Sequence, residues 1–313
     1  MQIVLIGLGA GAAAALLFAS VTSGVILSVF LFYLAPLPIM IAALGWGHLT
    51  GLAAVVFGAL ALALALNPLM APLFAIAIAL PAWWLCFVTL RGQSGAKRWQ
   101  TVGEIVAWGA ALSAAIAFAG CTALVLTYGS YGEALTEISQ RIAPMLDNIS
   151  QALGDGAPGG ADLARSLLAL APAAMAASSL LMLLINLWFA ARIVEMSHRL
   201  PRAWAPIPEN LILPAGTAAV FAAGLAAMAL PGFICVIGMI LASAAGLALA
   251  LHGLAVLHAA SRGRSWRVFM LAALYSFSLV ITPLPFALAL IIALADILFT
   301  LRRARAAPPS PQT

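Results

Sequence analysis

Long apolar runs dominate this sequence and constrain its fold more than any other feature. Several of them reach the roughly 20 residues that an α-helix needs to cross the hydrocarbon core of a bilayer. Of the 313 residues, 65% are hydrophobic and 7% are charged, whereas soluble domains carry roughly 25% charged residues. Segments of about ten residues with alternating polarity, typical of an outer-membrane barrel, are scarce. The sequence therefore predicts an all-α, polytopic transmembrane helix bundle with about eight to ten spans of this length.

Turn residues and polar loops separate the predicted spans. In chain order, these spans cover residues 3–20, 24–46, 49–66, the run that ends at Leu90, 102–128, 167–191, 211–230, the run from Gly232 to His258, 268–281 and 286–300. A second parse replaces the first two spans with one bent element over 3–33 and a short segment over 37–47. Eleven residues rise only about 16 Å, which is too short to span. The sequence is compatible with both parses, and the first underlies the orientation predicted below.

The segment from Ala35 to Gly58 is apolar but interrupted by prolines and glycines. They stand at Pro36, Pro38, Gly45, Gly47 and Gly51. Proline lacks an N–H and clashes with the preceding helical turn, so the two prolines predict a helix end or break. Small residues four positions apart let helix backbones approach closely, so Gly47 and Gly51 predict a helix-packing surface.

A similar proline pattern recurs near the other end of the chain, in Thr282-Pro283-Leu284-Pro285-Phe286. Broken apolar segments in both halves of a membrane protein are typical of a transporter core. The alternative is that Pro283 and Pro285, like Pro36 and Pro38, simply end helices at a membrane surface. The sequence leaves both interpretations open.

The middle of the chain is more polar than the rest. Over residues 130–162, apolar side chains recur every three or four positions between acidic and basic ones, which predicts an amphipathic helix that lies on the membrane surface or caps the bundle. This segment divides the chain into four predicted parts. They are a first membrane bundle over 1–129, the amphipathic helix and its linker over 130–162, a second bundle over 163–301 and a tail over 302–313.

Basic residues are distributed unevenly between the predicted loops. With the N-terminus inside, twelve of the fourteen Lys and Arg residues fall on the inner side, and Arg141 and Arg165 fall outside. This asymmetry follows the positive-inside rule. The tryptophans agree, since most fall near the inner interface: Trp46, Trp84, Trp99, Trp108, Trp188, Trp204 and Trp266. We therefore predict a bacterial inner-membrane protein with both termini cytoplasmic and residues 130–162 periplasmic.

Four polar residues inside or beside predicted spans are candidates for a substrate or ion site. Asp296 lies deep in an apolar run, which indicates either a proton or cation site or pairing toward Arg302 or Arg303. His252 also lies inside a span, where it could relay protons or hydrogen-bond across helices. His48 follows the Trp46-Gly47 turn and could line a cavity or meet interfacial water. Asn186 could hydrogen-bond between helices, the usual role of such a residue.

Motifs for catalysis, metals and cofactors do not occur in this sequence. It has no GxxxxGKS phosphate loop, no HExxH and no GxSxG, and its three cysteines lack CxxC spacing. The positive charges lie in short connections and form no nucleic-acid-binding face. We expect no catalytic residue, no metal, no cofactor and no nucleic-acid partner. The expected partners are the lipid bilayer, a small molecule of unknown identity, or a second membrane protein subunit.

The pattern Pro36-Leu37-Pro38-Ile39, Gly45-Trp46-Gly47, Gly51 and Gly58 resembles the N-terminal signature of the YybS-like family of bacterial predicted membrane proteins, whose function is unknown. That family is similar to the substrate-binding S components of energy-coupling-factor transporters and, more distantly, to the cell-shape protein MreD. The resemblance implies a transport-like fold that binds a small molecule or a membrane partner without catalysis. The resemblance to MreD implies a rival function, a scaffold for an envelope complex. A third and weaker interpretation is a lipid-modifying enzyme.

Overall fold

The computed structural model describes residues 1–91, 99–152, 158–202, 204–280 and 283–299, and every regular element within these ranges is helical. The α-helices are α1 (Gln2–Ala19), α2 (Ile26–Tyr33), α3 (Pro36–Trp46), α4 (His48–Ala65), α5 (Met70–Phe74), α6 (Leu80–Leu90), α7 (Val102–Tyr128), α8 (Tyr131–Ala152), α9 (Gly160–Ala169), α10 (Ala171–Met196), α11 (Ile207–Asn210), α12 (Ala215–Met228), α13 (Phe233–Ala260), α14 (Arg267–Val280) and α15 (Pro283–Phe299). A 3₁₀ turn over Ser20–Ser23 follows α1, and a π-helical stretch over Ala75–Ala79 precedes α6. The predicted all-α fold is confirmed.

Seven helical stretches in the described ranges are long and apolar enough to cross a membrane. They are Gln2–Ser23, Leu27–Trp46, His48–Ala65, Met70–Leu90, Val102–Tyr128, Ala171–Met196 and Phe233–Ala260. The first parse of the N-terminal run is therefore correct. The predicted span over 211–230 is a 14-residue helix, α12. At 1.5 Å per residue it is about 21 Å long, less than the roughly 30 Å of the hydrocarbon core.

The chain forms two compact units. The first contains Met1–Gly109, Leu180–Ala215 and the segment that begins at Leu247. The second contains Ala110–Ser179 and Gly216–Gly246.

Glycines bring α1 and α4 of the first unit into close contact. A Cβ on Gly11 would lie 2.5 Å from the carbonyl oxygen of Ala54 and 2.8 Å from the backbone nitrogen of Gly58. A Cβ on Gly7 would lie 2.7 Å from the Cβ of Ala53. Because only a residue without a side chain fits at these positions, α1 packs on α4 backbone to backbone.

The two glycines of the predicted packing pair have different roles. Gly51 packs as predicted, since a Cβ there would lie 2.6 Å from the Cβ of Ala43 on α3. Gly47 does not pack, because nothing lies within 4 Å of the position that its Cβ would take. Its φ of +94° is disfavoured for residues with a side chain. Gly47 is therefore the hinge that joins α3 to α4, and this part of the prediction is wrong.

Pro36 and Pro38 rearrange the backbone hydrogen bonds between α2 and α3. In a continuous α-helix, the carbonyl of Leu34 would accept from residue 38, but proline has no N–H to donate. The N–H of Leu37 bonds to Leu34 instead, at 3.0 Å. In an α-helix, the Tyr33 carbonyl would accept from the N–H of Leu37, which is now bonded to Leu34. In a 3₁₀ turn it would accept from residue 36, but this residue is a proline and has no N–H. The predicted helix break is confirmed, and it leaves the Tyr33 carbonyl in need of another donor.

The second unit contains the predicted amphipathic segment, which forms the helix α8 and the helix α9 that packs against it. The two join where a side-chain oxygen of Asp147 accepts from the N–H of Gly160, at 3.2 Å. The sequence predicted one amphipathic helix and then a span that begins at residue 167. The predicted start of that span is wrong. The polar run 160–169 is a helix of its own, and the span begins at Ala171. Part of the predicted linker, residues 154–157, lies outside the described residues, as do Lys97, Arg98 and the tail 302–313.

Candidate functional site

The first unit contains a cavity of about 480 Å³. Residues from α6, α7, α10, α11, α13 and α14 line it, together with Leu44 of α3 and the irregular segment between α10 and α11. Pro201 and Pro206 lie in that segment, and proline disfavours a continuous helix. The cavity therefore lies where the ends of several apolar helices meet an irregular connection.

The floor of the cavity is apolar and buried. Leu187 on α10 is 1% exposed, and Leu44, Leu90 and Leu211 are buried as well. These leucines come from four different parts of the chain, so the floor forms only when the first unit is folded. A surface of this kind binds hydrocarbon and excludes water.

Three tryptophans line the cavity, namely Trp99, Trp188 and Trp204. We call this group the tryptophan rim. Trp188 is 40% exposed, whereas Trp99 and Trp204 are half-buried. Indole rings combine a broad apolar face with one N–H donor, which suits them to a membrane–water interface. The sequence placed all three near one predicted interface, and the structure brings them to one cavity.

Polar groups are few in the cavity wall, and they lie on separate parts of the chain. Arg202 is the one charged side chain among the described lining residues, and its guanidinium carbon lies 5.6 Å from the ring centroid of Trp99. Gln100 precedes α7, and His258 and Tyr275 face each other from α13 and α14. A mainly apolar pocket with a small number of polar groups is typical of a small-molecule site.

His258 and Tyr275 form a hydrogen-bonded pair at the wall. Nδ1 of His258 lies 2.9 Å from the carbonyl oxygen of Leu254, and a carbonyl can only accept. The proton of a neutral imidazole is therefore on Nδ1, and Nε2 is an acceptor. The Tyr275 hydroxyl, 3.3 Å from Nε2, donates to it. The histidine is thereby fixed in one tautomer and one orientation.

His252 and Asp296, two of the predicted site residues, pair with each other. Nε2 of His252 lies 2.9 Å from Oδ2 of Asp296, and both side chains are buried. The helices that carry them are in close contact, since a Cβ on Gly253 would lie 1.7 Å from the carbonyl oxygen of Ala289. The structure thus confirms the predicted cross-helix hydrogen bond of His252. Arg302 and Arg303, the predicted partners of Asp296, lie outside the described residues.

The His252–Asp296 pair lies beside the cavity but does not line it. Its neighbours on α13, namely Leu251, Leu254 and Ala255, do line the cavity. The pair fixes α15 against the same helix that supplies part of the cavity wall. In this position it acts as a support for the wall.

Asn186 donates across helices, as its residue type predicts. Its Nδ2 lies 2.8 Å from the Tyr33 carbonyl oxygen and 2.7 Å from that of Met182. The first bond supplies the donor that the proline break between α2 and α3 removes from Tyr33. Asn186 follows Leu184 and precedes Leu187 on α10, both of which line the cavity. It is therefore a structural residue of the helix that forms the floor.

His48 lies at the hinge and is outside the cavity. Its carbonyl oxygen accepts from Nε1 of Trp83 at 2.9 Å, and its ring is packed against Phe87 with centroids 5.4 Å apart. In the C-terminal proline segment, α15 begins at Pro283 and Pro285 is buried in its first turn. Neither His48 nor Pro285 is among the described residues that line the cavity.

Two charged contacts lie near the cavity. Glu195 accepts a hydrogen bond from Arg192 at 2.7 Å. Arg199, one helical turn after Glu195, lies over the ring of Trp46, 4.7 Å from its centroid. A cation over an indole face is attracted to the ring's negative potential, and this contact competes with a weak exposed ion pair.

Sequence reasoning missed Arg202, Gln100 and Tyr275 as site residues. None of them lies in a motif, and each reaches the cavity from a different element. The signal that could have found them was the clustering of tryptophans around the basic segment after α10. Within the described ranges, no group of three or more His, Cys, Asp or Glu side chains is arranged to hold a metal ion.

Comparison with known proteins gives one match. The model of a family described as predicted membrane protein (DUF2232) matches residues 12–297, which is most of the chain. No curated protein and no solved structure matches this sequence.

Proposed function

The chain belongs to the DUF2232 family of predicted membrane proteins, and we propose that it binds a small apolar or amphipathic molecule in the cavity beneath the tryptophan rim. In this proposal it is a substrate-binding protein of transport-like type in the bacterial inner membrane and catalyses no reaction. The family predicted from the proline- and glycine-rich segment is confirmed. Its relation to S components remains a prediction.

The cavity is the observation that carries this proposal. Its volume of about 480 Å³ lies within the roughly 300–1,000 Å³ of small-molecule sites. An apolar floor of buried leucines and a wall of three indole rings favour a ligand with a hydrocarbon or ring-shaped body. The few polar groups lie on separate elements, where they can fix the orientation of such a ligand.

The threonine hydroxyl at the cavity favours binding over covalent catalysis. A catalytic serine or threonine needs a base that takes its proton. The hydroxyl of Thr89 donates instead to the carbonyl of Leu85, at 2.8 Å. The hydroxyl of Tyr275 donates to Nε2 of His258, and in this proposal the pair contacts a polar group of the ligand.

The orientation of the chain follows from its charges in this proposal. The tryptophan rim and Arg202 belong to the side predicted to be cytoplasmic, and tryptophan and arginine are both favoured at that interface. The exposed Met145 and Ile149 on α8 would then contact the outer surface of the membrane. The ligand site would open toward the cytoplasmic interface.

A scaffold for an envelope complex is the main rival. A scaffold has no need for a cavity, and its partners would bind to the outside of the helices. A lipid-modifying enzyme is the weaker rival, and it would convert its ligand rather than retain it. What is found bound to the purified protein therefore separates these functions.

Native mass spectrometry of the full chain, released from nanodiscs of one defined zwitterionic lipid, tests the proposal. We expect a protein that retains one small molecule distinct from the nanodisc lipid, unchanged in mass after prolonged incubation. A chain that carries only nanodisc lipid and co-purifies with a stoichiometric protein partner would favour the scaffold. Conversion of the retained molecule into a product would favour the enzyme.

A further inference from the structure

We propose that the ligand is an amphiphile with a hydrocarbon body and one anionic head group, and that Arg202 binds the head. This inference rests on the proposed function, because it names the class of molecule that the same cavity takes. Three features of the cavity support it: the charges nearby, the position of Arg202 and the apolar character of the remaining lining residues.

The arginines near the cavity differ in whether a carboxylate neutralises them. Arg192 pairs with Glu195, and Arg262 pairs with Glu209. Among the residues that the structure describes, no carboxylate lies within ion-pair distance of Arg202, which lines the cavity directly. A guanidinium is always charged at physiological pH, so this part of the wall has a fixed positive charge. An anionic group on the ligand would complement it.

The contact with Trp99 holds Arg202 in place for this role. The guanidinium lies over the indole face, 5.6 Å from the ring centroid. A contact of this kind attracts the positive charge to the ring and occupies none of the guanidinium N–H groups as hydrogen-bond donors. Those donors match the two oxygens of a carboxylate or a phosphate. Gln100, beside Trp99 in the chain, adds an uncharged amide to the same wall.

The rest of the lining limits the ligand to one charged head. Apart from Arg202, the described lining residues carry no permanent charge, and the floor consists of buried leucines. A ligand with several negative groups, such as a nucleoside triphosphate, would leave charges buried against hydrocarbon, which is costly. A single carboxylate or phosphate on an alkyl or prenyl chain fits both the charge and the apolar floor.

The test measures binding of three probes that differ only in the head group: dodecanoate, dodecyl phosphate and dodecanol. The full chain is placed in nanodiscs of zwitterionic lipid, and binding is followed by fluorescence of the tryptophan rim. We expect both anions to bind about tenfold or more tightly than dodecanol, since hydrogen bonds to charged groups are the stronger ones. The tighter of the two anions identifies a carboxylate or a phosphate head.

Substitution of Arg202 completes the test. Arg202→Gln should remove the preference for the anions over dodecanol, whereas Arg202→Lys should keep part of this preference. Arg199→Gln is the matched control, because Arg199 also lies over an indole ring but does not line the cavity. It should keep the full preference.

The outcomes separate this inference from the proposed function. Equal binding of all three probes, or an anion preference that survives Arg202→Gln, would overturn the anionic head while leaving the binding function in place. Failure of every probe to bind would overturn the binding function itself.

Discussion

His252 and Asp296 are 44 positions apart in sequence, yet Nε2 of one and Oδ2 of the other are 2.9 Å apart in a buried hydrogen bond between α13 and α15. Each residue alone is costly inside an apolar helix, because an ionisable group in hydrocarbon must be paired. The hydrogen bond between them pairs the two groups and fixes α15 against a helix that lines the cavity. Both residues were visible in the sequence, but their pairing was not.

The first prediction concerns this pair. His252→Leu should lower the thermal stability of the full chain in detergent, because it removes the donor to the Asp296 carboxylate. Interhelical hydrogen bonds in membrane proteins are worth about 0.6–1.7 kcal/mol, and a buried charge left without its partner costs more. The double variant His252→Leu with Asp296→Leu should be more stable than the single variant. If the two substitutions destabilise additively, the pair is not coupled and this interpretation is wrong.

The second prediction compares two glycines of α1. Gly11→Ala should destabilise the chain by about 1–3 kcal/mol, the usual cost of overpacking, since the new methyl group would clash with the α4 backbone. Gly9→Ala is the matched control. Nothing lies within 4 Å of its new Cβ, and alanine favours a helix over glycine by about 0.5–1 kcal/mol. Melting curves of both variants should shift in opposite directions, and equal shifts would contradict close packing of α1 on α4.

The third prediction concerns Asn186 and the proline break. Asn186→Leu should cost about 0.6–1.7 kcal/mol, because the Tyr33 carbonyl loses the donor that the prolines cannot supply. Ser178→Ala on the same helix should have little effect, since the hydroxyl of Ser178 bonds only within α10 to Met175 in the described part of the chain. Thermal unfolding of the two variants provides the measurement. A Ser178 variant as unstable as the Asn186 variant would mean that the Tyr33 contact contributes nothing.

Helix positions could be predicted from the sequence because they depend on local information. The lengths of the apolar runs determined the predicted spans. Both ends of α7 were predicted correctly because polar loops flank this helix. The proline break before α3 followed from the missing N–H alone. These features need no knowledge of what each helix touches.

Long-range contacts could not be predicted in the same way. Gly47 and Gly51 have the same spacing as any packing pair, and only the backbone angle separates the hinge from the packing residue. The helix over 160–169 was divided between the predicted linker and the predicted span from residue 167, because its partner, α8, could not be identified from the sequence. The cavity was missed for the same reason, since Arg202, Gln100 and Tyr275 come from different elements.

The fourth prediction concerns orientation. The predicted orientation, in which the segment 211–230 crosses the membrane, places twelve of the fourteen basic residues on the inner side. A reporter that is active only in the periplasm should then be active when fused after Gly156 and inactive when fused at Thr313. A cytoplasmic reporter at the same two sites should show the reverse. Periplasmic activity at Thr313 would overturn the predicted orientation and the proposed cytoplasmic opening of the cavity.

Ligand binding in the cavity beneath the tryptophan rim is the central claim, and occlusion of that cavity tests it. Leu184 lines the cavity from α10, whereas its neighbour Ile185 is 48% exposed and does not line it. Leu184→Trp should fill part of the space, and Ile185→Trp is the matched control. Leu254→Phe provides a second filling variant from α13 in case the first one unfolds.

The most direct measurement is photolabelling of the full chain in nanodiscs with a diazirine-bearing dodecanol, mapped by mass spectrometry. The buried Leu187 has little contact with lipid, so its label can come only from a molecule inside the cavity. We expect saturable labelling at Leu187 in the wild type and in Ile185→Trp, and a loss of about tenfold in Leu184→Trp. Labelling at Leu187 that never saturates, or that is equal in all three proteins, would contradict ligand binding in this cavity.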